Sequence, residues 1–409
     1  MTPKSPLTSH ALRRISADSI LAALRQGEVM TVTELMTATR LSRTAVHDAC
    51  GDLLLRGWIQ EPEAPSLVDV GRGRPPRRYV YAARAGVTVS VDLGVHTITV
   101  RVTDLRGTAL ASAERHLEDP AGADRLTILD EMTDDALATA HTDSKRVLAA
   151  TVGVPMSLSP ARAIPYLPEQ SVIDLTQTWA RGREWTLLLE NDANLAALAE
   201  RWCGCGQDEE NFVVILAGER LGAGIVVDGR LLRGEHSSAG ELRFLSLIPS
   251  VEREWLGIAR HTRLLAAQAL SSGTATAGLR AARDASETGE VSSSAVFEAA
   301  EAGDESALLV VRTVCGRLGQ IIGVLATLLD PAVVIIAGGV AEAGAFVATV
   351  TESLLPRGVM DNIPRIAASP LGHDVVVTGG VRLALDHIEH HLLDDLDRPP
   401  ESTRPKLPR

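Results

Sequence analysis

Aromatic side chains are scarce: 3% of the 409 residues are Phe, Trp or Tyr, although 45% are apolar. The interior must therefore be built mostly from Ala, Val, Leu and Ile. Cysteine is scarce too. Cys50, Cys203, Cys205 and Cys315 fall at no spacing that frames a disulfide scaffold, which points to a reducing cytoplasm. Cys203-Gly204-Cys205 is half a metal clip with no second cysteine pair nearby, so it reads as two small helix-end residues. No apolar signal core opens the chain, and no stretch reaches the ~20 apolar residues that span a bilayer. The expectation is a soluble, cytoplasmic protein without a membrane partner.

The length predicts more than one domain. Net charge is −12, which argues against a wholesale nucleic-acid coat, but its distribution is uneven. Residues 1–84 hold 12 Lys/Arg against 8 Asp/Glu; the remainder holds 28 against 44. A basic head on an acidic body fits local DNA contact, with the body held off the phosphates.

Within the head, Ile15, Ile20, Leu21 and Leu24 recur at helical spacing up to Gly27. Thr33 is the expected cap of a short helix bearing Leu35 and Met36; Leu41 sits in a turn. Ser42 caps a longer helix that stops at Gly57. This is the helix-turn-helix order, in which Ser42, Arg43, Thr44 and His47 face the major groove. Trp58–Gln60 reads as a strand. The Gly/Pro-rich run bearing Arg72, Arg74, Arg77 and Arg78 reads as a wing beside DNA, with Arg72 or Arg74 suited to a narrow minor groove. The alternative for that run is a solvated linker.

The body opens with three expected strands, Val87–Gly94, Ile98–Asp104 and a third around Ala109–Ala113. A helix over about 123–141 follows, then strands Val147–Val154 and Trp185–Leu189, the latter leading into Asn191-Asp192. The β-rich opening restarts at Phe212–Leu216, with Ile225–Gly229 as hairpin partner. A duplicated opening predicts two α/β lobes around a cleft. Residues 271–294, rich in small polar residues, are expected to be an exposed loop or frayed helix. The Pro-rich tail from Asp397 is expected to be disordered.

Four motifs punctuate the body: Glu190-Asn191-Asp192-Ala193-Asn194, Leu221–Gly229 with its Gly222-Ala223-Gly224, Ala239-Gly240-Glu241, and Asp330–Val340 ending in Gly338-Gly339-Val340. Any one alone would be weak; four in this order are specific. Through them the chain resembles the ROK family, which contains sugar kinases and the xylose and N-acetylglucosamine types of repressor. The resemblance implies a two-lobed actin-like (ribonuclease H-like) α/β sugar-kinase fold, here preceded by an N-terminal winged helix-turn-helix domain. The implied division is a DNA-binding domain at 1–84, lobes at 85–200 and 201–395, and a tail at 396–409.

In the family's kinases the Asp of the Asn-Asp pair takes the proton from the sugar hydroxyl, a task suited to a carboxylate. The resemblance thus makes Asp192 a relic base and Asn191, Asp192 and Glu241 the effector-binding set. Asn191-Asp192 also reads as a helix N-cap. Departures from the kinase pattern are as informative. Val95-His96 stands where the first phosphate loop has Gly-Thr, and Gly218-Glu219-Arg220 where the second has Gly-Thr-Gly. Bulk obstructs a backbone cradle, and a carboxylate repels phosphates unless Arg220 compensates. Gly338-Gly339 then reads as packing. Phe244 replaces the family's zinc-binding His, residues 245–270 hold no cysteine, and His236 and His261 stand apart, so no structural zinc is expected. A further sugar-loop Asn falls at Tyr166.

The resulting expectation is a non-enzymatic, cofactor-free regulator, acting as a repressor of carbohydrate-related genes. It would bind a double-stranded operator as a homodimer or dimer of dimers and sense a sugar or sugar derivative. The rival readings are an ATP-dependent sugar kinase with a regulatory head and an effector-independent DNA binder.

Overall fold

The computed structural model describes residues 9–27, 29–62, 76–117, 124–155, 179–242, 257–286, 288–340, 343–355 and 362–391. Arg72, Arg74, Tyr166, Phe244 and the tail lie outside the described residues.

The chain opens with α1 (Ser9–Gln26), β1 (Val29–Thr31), α2 (Val32–Thr39), α3 (Arg43–Leu55), β2 (Ile59–Gln60) and β3 (Arg78–Tyr81). Ile20, Leu21 and Leu24 are buried, whereas Ile15 is half exposed. The cap of α2 is Thr31, not Thr33. Glu34 lies three residues after Thr31 and closes a reciprocal capping box: its carboxylate accepts from the Thr31 N–H at 2.7 Å, and Thr31 Oγ1 accepts from the Glu34 N–H at 3.3 Å. Arg40 turns the chain with φ +58°, and Ser42 Oγ then caps α3 by accepting from Ala45 N–H at 3.2 Å. β1 had no sequence expectation. It pairs antiparallel with β3, as does β2, giving the order β1-β3-β2. The core of this unit does not close on itself: Leu21, Leu24, Leu53, Tyr79 and Tyr81 pack in one cluster with Leu105, Ala149, Ala384 and Ile388 of the body.

Two five-stranded sheets follow. The first takes β4 (Val87–Leu93), β5 (Thr97–Asp104), β6 (Ala109–His116), β7 (Val147–Val154) and β8 (Thr186–Asn191) in the order β6-β5-β4-β7-β8. The second takes β9 (Phe212–Ala217), β10 (Leu221–Val227), β11 (Arg230–Leu231), β12 (Val333–Ala337) and β13 (Arg365–Ala368) in the order β11-β10-β9-β12-β13. Each sheet is an antiparallel meander continued by two parallel strands. The repeat expected from the second β-rich opening is therefore present strand for strand, with the hairpin strand β10 starting earlier, at Leu221. Between β6 and β7, α4 (Arg125–Thr139) covers the first sheet.

Helices α5 (Asp192–Cys203) and α11 (Val375–His391) cross over between the lobes. α5 leaves the first sheet but buries Leu195, Ala196, Ala197 and Ala199 against Phe212, Val214 and Ile335 of the second. α11 leaves the second sheet and returns to the first, where Ser90 Oγ donates to the Val377 carbonyl at 2.7 Å. The expected lobe boundary at residue 200 falls inside α5.

The second lobe is completed by α6 (Ile258–Ser271), α7 (Ala277–Asp284), α8 (Ser293–Glu301), α9 (Glu305–Leu329) and α10 (Gly344–Ser353). Residues 271–294 are thus more structured than their composition predicts. Ala275, Leu279 and Val291 are buried, and Asp304 pins the start of α7 by accepting from Gly278 N–H at 2.7 Å. Among the described residues α9 alone is long and apolar enough to cross a membrane, despite Arg312 and Arg317 interrupting its apolar run. Its Val311, Cys315, Leu318 and Ile322 instead form the centre of the second-lobe core.

Candidate functional site

Asn191 ends β8 and starts α5. Its Oδ1 accepts from the N–H groups of Ala193 (3.0 Å) and Asn194 (3.2 Å), so this amide oxygen serves as the helix cap. The buried Glu190 behind it holds the turn. Glu190 Oε1 accepts from Asn191 N–H at 3.0 Å and Asn194 Nδ2 at 2.9 Å; Oε2 accepts from Arg233 Nε at 2.8 Å. Arg233 comes from the loop after β11, so this pair ties the first lobe to the loop that carries Glu241. Nothing in the local sequence pattern marks Arg233 for that role.

The glycine motifs explain how the Asp192 and Glu241 segments come together, although of the expected set Asn191, Asp192 and Glu241 only Asp192 lines the cavity beside them. A Cβ on Gly224 would stand 2.1 Å from the Ala193 carbonyl oxygen, so β10 lies directly under the first turn of α5. A Cβ on Gly240, whose φ is +80°, would stand 1.8 Å from the Ala223 carbonyl oxygen, and Ala223 N–H donates to the Gly240 carbonyl at 3.0 Å. Gly222-Ala223-Gly224 is therefore the spacer between Asp192 and Glu241.

Asp192 faces a cavity of about 210 Å³ that is also lined by Asp92, Val95, His96, Glu219, Arg220 and Gly339. That is below the ~300–1,000 Å³ usual for drug-sized ligands and suits a small polar molecule. Burial pushes the Asp92 carboxyl up to about 8, reinforced by the charges of Asp192 and Glu114. Burial likewise pushes Asp192 up to about 7; the Ala193 N–H and Arg220 oppose the rise and Glu241 adds to it. Asp92 was not expected as a site residue. It ends a strand whose apolar alternation masks its role, and only the parallel pairing of β4 with β7 brings it beside α5.

The Gly218-Glu219-Arg220 turn settles a point the sequence left open: Arg220 does not compensate Glu219. Its guanidinium donates to the Pro155 carbonyl instead. Glu219 is clamped by Arg263 of α6, with Nη1 to Oε1 at 2.6 Å and Nη2 to Oε2 at 2.7 Å, and His96 Nε2 stands 3.6 Å away. Burial alone would raise the Glu219 carboxyl, but Arg263 and His96 hold it below its ordinary value. Gly338, at φ +90°, packs on Leu216 and also lines the cavity.

Cys203 lies at the end of α5 and Cys205 just beyond it, where the Cys205 N–H donates to Glu200 at 2.7 Å. Among the described residues no group of three or more His, Cys, Asp or Glu could hold a metal ion. His261 contacts Arg317.

On the head, Ser42, Arg43, Thr44 and His47 are all exposed in the first turns of α3. Arg77 and Arg78 are exposed as well but have acidic neighbours. Arg77 stands 3.7 Å from Glu61, and Arg78 lies opposite Thr31 in the sheet. The Glu34 carboxyl is held below its ordinary value first by its backbone and side-chain hydrogen bonds with Thr31, against a rise from burial, and last by the charge of Arg78.

A model described as the ROK family matches residues 88–387. The chain belongs to the ROK family. It is similar to a glucokinase of Halalkalibacterium halodurans, 34% identical over 209 residues, or 47% of this chain and 62% of that protein. The chain thus matches less than two thirds of that relative's length. It is also similar to the DNA-binding transcriptional dual regulator NagC of Escherichia coli, 24% identical over 374 residues, or 88% of this chain and 90% of that protein. The crystal structure of a ROK family transcriptional regulator, a homologue of the E. coli MLC protein, shares the fold. Its TM-score is 0.70 at 21% identity, covering 94% of this chain and 98% of that one. ROK relatives therefore include both repressors and kinases, and the actin-like α/β body is common to both.

Proposed function

We propose that this ROK protein is a sequence-specific transcriptional regulator, a repressor of carbohydrate-related genes. In this reading residues 1–84 are a winged helix-turn-helix domain, the two lobes at 85–200 and 201–395 enclose an effector cleft, and the chain works in the cytoplasm as a two-fold oligomer. The observation that carries it is the bare, Ser42-capped start of α3, with Arg43, Thr44 and His47 all open to solvent. An exposed basic and polar helix start following α2 and a tight turn is the geometry that enters a major groove. The match to NagC over 88% of the chain supports the same reading, because it extends beyond the kinase-like body. The effector is a sugar or sugar derivative held by Asp192, Asn191 and Glu241. It acts by preferring one state of lobe closure.

The test is a titration against DNA from upstream of the chain's own gene, beside a scrambled duplex, at near-physiological salt. The expected preference is ~10³ or more. Arg43→Ala with His47→Ala should abolish it, and unchanged selectivity in that double variant defeats the role given to α3.

One observation favours a kinase. A carboxyl pushed up to about 7 suits a general base, and Asp192 has that property. The rival reading requires sugar-dependent ADP release that disappears in Asp192→Asn. Val95, His96 and the occupied Glu219 turn weigh against it.

A further inference from the structure

The turn Gly218–Arg220 lies across the start of α6, a place where phosphate groups would ordinarily find backbone N–H donors. Here two of those donors are already used. Gly257 N–H donates to the Glu219 carbonyl at 3.1 Å, and Ala259 N–H to the Gly218 carbonyl at 3.2 Å. The approach is so close that a Cβ on Gly257 would stand 2.1 Å from the Gly218 oxygen. The same helix supplies Arg263, whose two terminal nitrogens grip the Glu219 carboxylate in the fork geometry typical of an oxyanion receptor.

Two contacts then cross the cleft. His96, in the β4–β5 turn of the first lobe, stands 3.6 Å from Glu219 of the second. Arg220 of the second lobe donates to the carbonyl of Pro155, just past β7 of the first. Both side chains line the cavity beside Asp192.

We infer that Arg263 and His96 form a receptor for a phosphate-type anion and that the chain fills it with its own Glu219 carboxylate, which latches the two lobes together. A carboxylate supplies the negative charge and two acceptor oxygens that a phosphoryl group would otherwise bring. Lobe contact across this mouth therefore needs no nucleotide. The inference concerns the mouth of the cleft and does not rest on operator binding; it stands even if the chain reads no DNA.

The full-length protein is titrated with inorganic pyrophosphate by calorimetry at low ionic strength, as wild type, Glu219→Ala and Glu219→Ala/Arg263→Ala. The wild type should show little binding. Emptying the receptor in Glu219→Ala should raise affinity at least tenfold, and the added Arg263→Ala should remove the gain. Equal affinity in wild type and Glu219→Ala, or a gain that survives loss of Arg263, overturns the inference. The latch is read separately in His96→Ala, which keeps the Glu219 carboxylate on Arg263 but removes its contact with the first lobe. Hydrogen exchange at 94–97 and 218–221 should rise at least tenfold there, and exchange equal to wild type in both turns also overturns it.

Discussion

Gly379 of α11 lies against Leu195 of α5, so closely that a Cβ on Gly379 would stand 1.8 Å from the Leu195 carbonyl oxygen. The two helices that exchange between the lobes touch backbone to backbone at this point. Ala favours helices over Gly by about 1 kcal/mol, so in an isolated helix Gly379→Ala would stabilise. Here the methyl must push the helices apart, and overpacking of this kind costs about 1–3 kcal/mol. Urea denaturation should therefore show a lower midpoint for Gly379→Ala. A higher one would mean that the helices do not meet as described.

The head is fastened to the body by Arg106, in the β5–β6 turn. Its guanidinium donates to the carbonyls of Arg25 (2.6 Å), Leu24 (3.1 Å) and Gly27 (3.1 Å) at the end of α1, and it packs over the Tyr81 ring at 5.6 Å. These are charge-assisted bonds to otherwise orphaned helix-end carbonyls. Arg106→Ala should cost about 2 kcal/mol. The loss should show as faster hydrogen exchange in α1 while β9 and β12 stay protected. Uniform exchange across all of them would mean that head and body unfold as one unit.

Asp92 and Asp192 give stability a pH dependence of definite sign. Their folded carboxyls are raised to about 8 and about 7 from an ordinary 3.8. The folded state therefore binds more protons than the unfolded chain between those limits. Their contribution is fully present below about pH 4 and is lost as pH rises through 7 to 8. Asp92→Asn and Asp192→Asn should each flatten the fall in stability between pH 5 and 8, measured by urea midpoints. A steeper fall in either variant contradicts the placement of that carboxyl.

Asp304 acts in the opposite direction. Burial alone would raise its carboxyl, but Thr276, Ala307 N–H, Ser306 and Gly278 N–H hydrogen-bond it and hold it well below the usual carboxylate range. Its stabilising effect is present at neutral pH and is lost as pH falls. As N-cap of α9, Asp304→Ala should cost about 1–2 kcal/mol at pH 7. The gap to wild type should narrow at low pH, once the wild-type carboxyl is protonated; a gap constant with pH would remove the charge from the explanation.

The sequence by itself determined the local structure and much of the family assignment. Apolar β-rich runs placed the five strands of the first sheet and β9 and β10 of the second but not β11, β12 or β13. Ser42 and Asn191 announced their helix starts, and four motifs in order pointed to the ROK body. These are short-range signals: a cap needs its own next three residues, and a strand needs period two. Thr31 was missed in favour of Thr33, yet its partner Glu34 was in plain view three residues on. What only the tertiary structure decided was which distant groups meet. The partner of Glu219 is Arg263, 44 residues away, not its neighbour Arg220. Glu190 finds Arg233 across the lobes. Asp92 joins Asp192 only because β4, β7 and β8 run parallel in one sheet. Charge pairing carries no periodicity along a chain, so these choices were made by the crossing of α5 and α11 and by the backbone approaches that Gly224, Gly240 and Gly379 permit.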